Sequence, residues 1–221
     1  MLTAKLQCQS FQGISVNNLA ILGASGHGKV VADTAECCGW RTIQFFDDAW
    51  PGLQNNDVWP VVGDMTALME RLSELDGVVV AIGNNRIRHA KLLELRAAGA
   101  HLATLVHPAA SVSRYASIGQ GAVVCAGAVV SAAACVGMGG ILNTGCSVDH
   151  DCMLGEAVHI SPGARLGGGV QIGSQSWVGI GASVRQLIRI GQRSMIGAGS
   201  VVVSDIPDDM TVAGVPAKRM R

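Results

Sequence analysis

Every sixth residue from Val106 to Val202 is aliphatic, an unbroken series of seventeen positions that opens Val106, Val112, Ile118, Val124 and closes Ile190, Ile196, Val202. Neither a helix nor a flat strand has that period, and at ordinary residue frequencies such a run arises by chance with a probability on the order of 10⁻¹⁰. Four places after each aliphatic residue the side chain is usually small, as at Ala122, Ala128, Ala134, Cys146, Cys152 and Ala164. One large and one small inward position per six residues suit one flat side of a triangular prism, in which each short strand pairs only with the coils above and below it. Glycine is frequent just after the aliphatic residue (Gly119, Gly137, Gly155, Gly167), which predicts tight corners there, some with φ above zero.

Ahead of residue 106 the pattern changes to alternating strands and helices. Apolar runs predict strands at 19–22, 43–46, 58–62 and 78–82, and amphipathic stretches predict helices at 29–38, 65–75 and 86–98. A last apolar segment, 102–106, leads into the prism. The alternation implies a small, Rossmann-like parallel α/β sheet. The expected organisation is a loose leader (1–18), an α/β domain (19–105), a β-helical domain (106–207) and a short C-terminal tail (208–221).

Composition narrows the function. Of 221 residues, 49% are hydrophobic and only 14% charged, a buried composition that argues against disorder. Sixteen basic residues balance sixteen acidic ones, so no electrostatic footprint for nucleic acid or an anionic membrane is expected. No apolar run reaches membrane-spanning length and the start lacks a continuous apolar signal core, which points to a cytoplasmic protein. Seven cysteines in unpaired spacing read as reduced thiols, with Cys146 and Cys152 as space-fillers inside the prism. Adjacent Cys37 and Cys38 have the wrong spacing for a zinc ligand pair.

Candidate chemistry sits at both ends of this design. In parallel α/β sheets ligands bind beyond the carboxyl ends of strands, where a glycine turn brings backbone amides and a helix N-terminus up to a phosphate. Gly23-x-x-Gly26-x-Gly28 fits that geometry, and Asp47-Asp48 falls at the end of the next strand, where a ribose or base is read. In the prism, His150 lies two places past the inward Val148 within Asp149-His-Asp151, which aims it outward near a corner.

Gly23-Ala-Ser-Gly-His-Gly-Lys, Phe45-Phe-Asp-Asp, Ala81-Ile-Gly-Asn-Asn-Arg, Asn143-Thr-Gly-Cys-Ser-Val-Asp-His-Asp and Ala213-Gly-Val-Pro-Ala-Lys occur in order along residues 19–220. Together they resemble the bacterial hexapeptide-repeat acetyltransferases that acetylate nucleotide-linked amino sugars, a family shared with sialic acid O-acetyltransferases. The resemblance implies that the prism is a left-handed parallel β-helix, that acetyl-CoA binds between adjacent subunits of a homotrimer, and that the α/β domain holds the nucleotide-sugar. It implies that Ser25, Gly26 and His27 cradle the diphosphate and sugar, that Asp47 and Asp48 read the nucleoside, and that Gly83 approaches the ligand through its backbone. It makes His150 the general base, supported by Asp151 or Asp149, and places His159 near the thioester. Gly168 then offers its amide to the developing oxyanion, Ile180 lines the pantetheine arm and Ala198 gives a backbone contact. Many relatives carry Glu where this chain has Asp151.

No Ser or Cys stands in a base-activated motif, which favours direct transfer over an acyl-enzyme. A zinc enzyme on the same fold would need three convergent histidines; the prism offers only His107, His150 and His159, without a pair four apart, so no metal is expected. Open alternatives are O-acetylation of sialic acid or a related sugar, and a non-catalytic sugar-nucleotide scaffold. The nucleotide (UDP, GDP or CMP) and the acceptor atom are open as well, with a UDP-4-amino deoxy sugar the preferred acceptor.

Overall fold

A computed structural model describes residues 18–220. The expected leader lies outside the described residues except for Asn18, which begins the first strand.

The α/β unit follows the predicted alternation. Strand β1 (Asn18–Leu22) is buried along almost its whole length, as a central strand covered on both faces must be. Helix α1 (Gly26–Cys37) returns to β2 (Thr42–Phe46), and a two-residue strand β3 (Asn55–Asn56) leads into β4 (Trp59–Gly63). Helix α2 (Met65–Glu70), β5 (Gly77–Val80) and α3 (Asn85–Ala97) complete the unit. The sheet order is β3-β4-β2-β1-β5, parallel except for the β3/β4 pair. The helix expected over 65–75 is interrupted: α2 ends at Glu70 and a single 3₁₀ turn (Leu72–Glu74) follows. Helix α1 starts three residues earlier than expected, so Gly26, His27 and Gly28 form its first turn rather than a loop. First-turn amides have no intrahelical partner in any case, so glycine costs little there.

The repeat folds into the three-sided parallel prism. Its first side stacks Leu105–Val106, Val123–Val124, Ile141–Leu142, His159–Ile160, Trp177–Val178 and Met195–Ile196. The second side runs from Ser111–Val112 through Ser147–Val148 to Val201–Val202, and the third from Ser117–Ile118 through Met153–Leu154 to Arg189–Ile190. Each strand pairs with the one eighteen residues on, as Val129↔Ser147 and Val130↔Val148 do. Inside, the aliphatic column and the small column form one core, with Ala128, Cys146, Cys152 and Ser176 all fully buried. Residues 208–220, set apart in the sequence as a tail, extend the first side through Thr211–Ala213 and fold back antiparallel as Lys218–Arg219.

The corners differ from expectation. Left-handed φ recurs at every sixth residue from Gly121 to Gly199, three places after the aliphatic residue and not one. Gly fills many of these positions, but Ala133, Asp151, Ala157, Gln175, Leu187 and Arg193 also adopt the conformation. The glycines just after the aliphatic residue serve close stacking: a Cβ on Gly137 would come within 2.6 Å of the Gly155 carbonyl carbon in the next coil.

The two units share a core. Leu19, Ile21, Phe45 and Val79 of the sheet pack in one cluster with Leu105, Val123 and Cys125 of the prism. This seam sits over the first side and over the corner that precedes it.

Candidate active site

His150 occupies the edge between the second and third sides, with its side chain 62% exposed. Its Nδ1 lies 2.7 Å from Asp151 Oδ2, while its backbone N–H donates to Asp149 Oδ1 at 2.8 Å. The two acids therefore divide the work: Asp151 grips the ring and Asp149 pins the backbone. The hydrogen bond to Asp151, with the Asp149 charge behind it, holds the imidazole above its usual 6.5. Asp151 reaches the ring from left-handed backbone (φ 59°), a conformation that Asp tolerates better than most residues.

Gly168 sits one coil on, at the same edge. A Cβ there would fall 2.5 Å from both Cε1 and Nε2 of His150, so the imidazole lies against bare backbone. The Gly168 N–H has no partner among the described residues, while its carbonyl accepts from Leu187 N at 2.9 Å.

His159 is on the first side, 6% exposed beneath the α/β unit. It points outward from the prism, next to the inward Ile160, but the neighbouring domain buries it. Its ring stacks on Trp177 at 4.4 Å and faces His27 of α1 at 6.3 Å. Desolvation first and the nearby Arg88 charge second push His159 down to about 3 and His27 down to about 4, so both stay neutral. Asn143 fixes the tautomer. Its Oδ1 accepts from Thr144 N at 2.8 Å, which turns Nδ2 toward His159 Nε2 at 3.3 Å and leaves the proton on Nδ1. That Nδ1, like His27 Nε2, is buried without a partner among the described residues.

The residues expected to hold the acceptor cluster at the carboxyl end of the sheet. Ser25 is the N-cap of α1 but makes no side-chain cap, so the first-turn amides stay open. Ser25 and Gly26 are exposed, and open space surrounds the Cα of both Gly26 and Gly83. Gly28 has a packing role, since a Cβ there would meet the Gly23 carbonyl oxygen and Phe45. Asp47 is structurally engaged, accepting from Ala24 N at 2.7 Å and Ala49 N at 2.9 Å. Asp48 is exposed and has no such bonds.

Ile180 (61% exposed) and Ala198 stack one above the other on the edge between the first and second sides. The candidate residues thus fall into two sets. His150, Asp151 and Gly168 share one edge, whereas His27, His159, Ile180 and Ala198 lie on or beside the opposite side of the prism. One chain does not bring the sets together.

Sequence reasoning missed the groups at the seam. Arg88 is 1% exposed, yet no carboxylate among the described residues pairs with it; its guanidinium donates to carbonyl and amide oxygens. Asn85, Asn143 and Trp177 escaped too. In sequence, Arg88 looks like any other charge on an amphipathic helix, and only the structure shows Asn84 capping α3 directly before Asn85. Among the described residues no helix is long and apolar enough to cross a membrane, and no group of three His, Cys, Asp or Glu could hold a metal ion.

Known proteins share this fold. Residues 18–95 match the family described as the PglD N-terminal domain. The UDP-N-acetylbacillosamine N-acetyltransferase of Bacillus subtilis (strain 168) is 38% identical over 112 residues, a match that covers 49% of this chain and 51% of that protein. The acetyltransferase domain of PglB from Neisseria gonorrhoeae FA1090 superposes with a TM-score of 0.88 at 47% identity, over 93% of this chain and 100% of that one, and is also known in complex with acetyl coenzyme A. PerB from Caulobacter crescentus, in complex with CoA and GDP-perosamine, superposes with a TM-score of 0.87 at 39% identity, over 92% and 97% of the two chains. Asparagine and alanine variants of one histidine in the perosamine N-acetyltransferase of that organism likewise hold CoA and GDP-perosamine. The chain therefore belongs to this family of acetyltransferases, in which a PglD-type α/β domain precedes a left-handed parallel β-helix.

Proposed function

We propose that the chain transfers the acetyl group of acetyl-CoA to the amino group of a nucleotide-linked deoxy sugar, by direct transfer with His150 as general base. The observation that carries this is the Asp151–His150 pair lying over the Gly168 backbone. An exposed imidazole with an oriented Nδ1–H keeps Nε2 free to take a proton from an attacking amine. As the nitrogen attacks the thioester carbonyl, the carbonyl oxygen gains negative charge. The free amide of Gly168 supplies a fixed dipole for that charge. Collapse of the tetrahedral intermediate breaks the carbon–sulfur bond, and the imidazolium returns its proton to the departing thiolate.

His159, with an unpartnered Nδ1–H in a dry setting, suits a contact to the thioester, with Ile180 and Ala198 along the pantetheine arm. Ser25, Gly26, His27, Asp48 and Gly83 would hold the acceptor, with Asp47 setting the shape of the loop they form. In this reading residues 19–105 serve the acceptor, 106–207 serve the donor and 208–221 close the stack. Because His150 and His159 lie on opposite flanks of one prism, a shared substrate requires two copies, which supports a homotrimer with sites between protomers. Both substrates belong to the cytoplasm, where the enzyme would work.

The relatives' acceptors are amino sugars, which favours nitrogen over the hydroxyl of a sialic acid. They include UDP- and GDP-linked sugars, and a UDP-4-amino sugar is our first choice. The test is a panel of UDP-, GDP- and CMP-linked sugars, with and without a free amine, scored by CoA thiol release. Transfer only to amino sugars, abolished by His150→Ala with acetyl-CoA binding retained, is the expected result. Turnover by His150→Ala near the wild-type rate would overturn the base assignment, and binding without turnover by the wild-type protein would make it a scaffold.

A further inference from the structure

Arg88 is a buried cation with five N–H donors and no counterion among the described residues. Its Nε donates to Gly139 O at 3.0 Å, Nη1 to Ile82 O at 2.9 Å and Gly83 O at 3.2 Å, and Nη2 to Asn85 Oδ1 and Ala157 O, each at 2.8 Å. Two of these acceptors belong to the turn that leaves β5 beside the α1 N-terminus. Two others, Gly139 and Ala157, are left-handed corners of consecutive prism coils, and Ala157 stands two residues before His159. Asn85 extends the link, its Nδ2 donating to Gln175 O and Ser176 O, both at 3.0 Å, directly before Trp177, on which His159 stacks. A desolvated guanidinium that served stability alone is a poor choice, because apolar packing is commonly as good or better. Its planar fork does something an apolar side chain cannot: it fixes the direction of five acceptors at once.

We infer that Arg88, through Asn85, is a positioning residue for the transfer reaction: it locks the Ile82–Gly83 turn to the coil that carries His159, and so sets the distance between acceptor and thioester. The inference rests on the function proposed above for this site. It assigns no contact between Arg88 and substrate. The lysine variant keeps the charge and loses the fork, leaving most of the five acceptors unpaired.

The experiment compares Arg88→Lys, Asn85→Ala and, as a control at the same seam, Glu156→Ala, which removes the half-buried 2.7 Å contact to His89. Competent sites are counted by acetyl-CoA titration, and kcat is expressed per competent site. Arg88→Lys and Asn85→Ala should lower kcat by roughly ten- to hundredfold, the scale of a misplacement by an ångström or less, with both KM values within about twofold of wild type. Glu156→Ala should stay near wild type. Amide hydrogen exchange should quicken together at 82–85 and 157–159 in the first two variants only. Should Arg88→Lys fail to fold, Asn85→Ala carries the same expectation. A kcat per site unchanged in the folded variants, or an equal loss in Glu156→Ala, overturns the inference. If the wild-type protein acetylates no sugar, the functional reading fails. Exchange then decides the coupling alone: acceleration confined to α3 refutes it, and joint acceleration of both segments upholds it.

Discussion

The imidazole of His150 rests on the backbone of Gly168, eighteen residues later and one coil further along the prism, at a distance no β-carbon could occupy. The backbone of Gly168 is not in the left-handed region, so alanine fits its conformation and retains the N–H. Gly168→Ala should therefore fold normally, yet push the ring off its seat and lower kcat by roughly 100-fold, with acetyl-CoA affinity little changed. Because the amide survives, the loss would report ring position and not a missing oxyanion donor. Steady-state kinetics with an acetyl-CoA titration decides it, and wild-type turnover would show that the close approach is incidental.

The pH profile follows from the acids flanking His150. Asp151 and Asp149 hold the imidazole above its usual 6.5, and the proposed base works only when neutral, so kcat/KM should rise with pH through that raised value. Asp151→Asn removes the larger cause. The rising limb should move to lower pH while the plateau falls, because the ring loses an ionised partner. A limb that stays in place would assign the perturbation to Asp149.

How far the sequence reached can be read from the two histidines. Period six located the inward columns and so placed His150 near a corner, because a repeat fixes orientation residue by residue; that His159 lies on a flat side came from the structure. The period could not say which side the α/β unit would cover. That depends on seam contacts between residues far apart in the chain, such as Arg88 to Ala157 and Asn85 to Ser176. The glycine column just after the aliphatic residue was visible but was read as the corner, because strain at a left-handed corner and collision with the next coil leave the same letter in the sequence.

The neutral histidines at the seam make stability sensitive to acid. The unfolded chain protonates His27 and His159 near 6.5, whereas the folded protein resists until about 4 and about 3. Between those values the unfolded state binds more protons, so stability must fall as the pH falls. Thermal unfolding from pH 7 to pH 4 should show this decline in wild type, and a shallower one in His159→Asn. Parallel curves would mean that His159 takes up its proton without cost.

Asp47 and Asp48 separate by the same reasoning. Asp47 already bonds two loop amides, so Asp47→Ala should loosen the turn after β1 and lower the unfolding temperature as well as acceptor affinity. Asp48→Ala should leave the melting curve unchanged and weaken only the acceptor, measured by calorimetry with the nucleotide-sugar. Equal effects on stability would undo the distinction.

The two glycine classes of the prism make a final, purely energetic prediction. Gly145 has φ of 64° with nothing within 4 Å of a built Cβ, so Gly145→Ala costs only the left-handed strain, about 1–2 kcal/mol. Gly137 has ordinary φ, but its added Cβ would strike the Gly155 carbonyl at 2.6–2.7 Å. The struck atoms are backbone on a hydrogen-bonded coil, where Gly137 N itself donates to Leu154 O at 2.8 Å, so relief requires the coils to part. Gly137→Ala should therefore destabilise more than Gly145→Ala, although a rule based on backbone conformation alone ranks them the other way. Denaturant unfolding of both variants checks the order. If Gly145→Ala proves the more damaging, coil separation is softer than the stacked geometry implies.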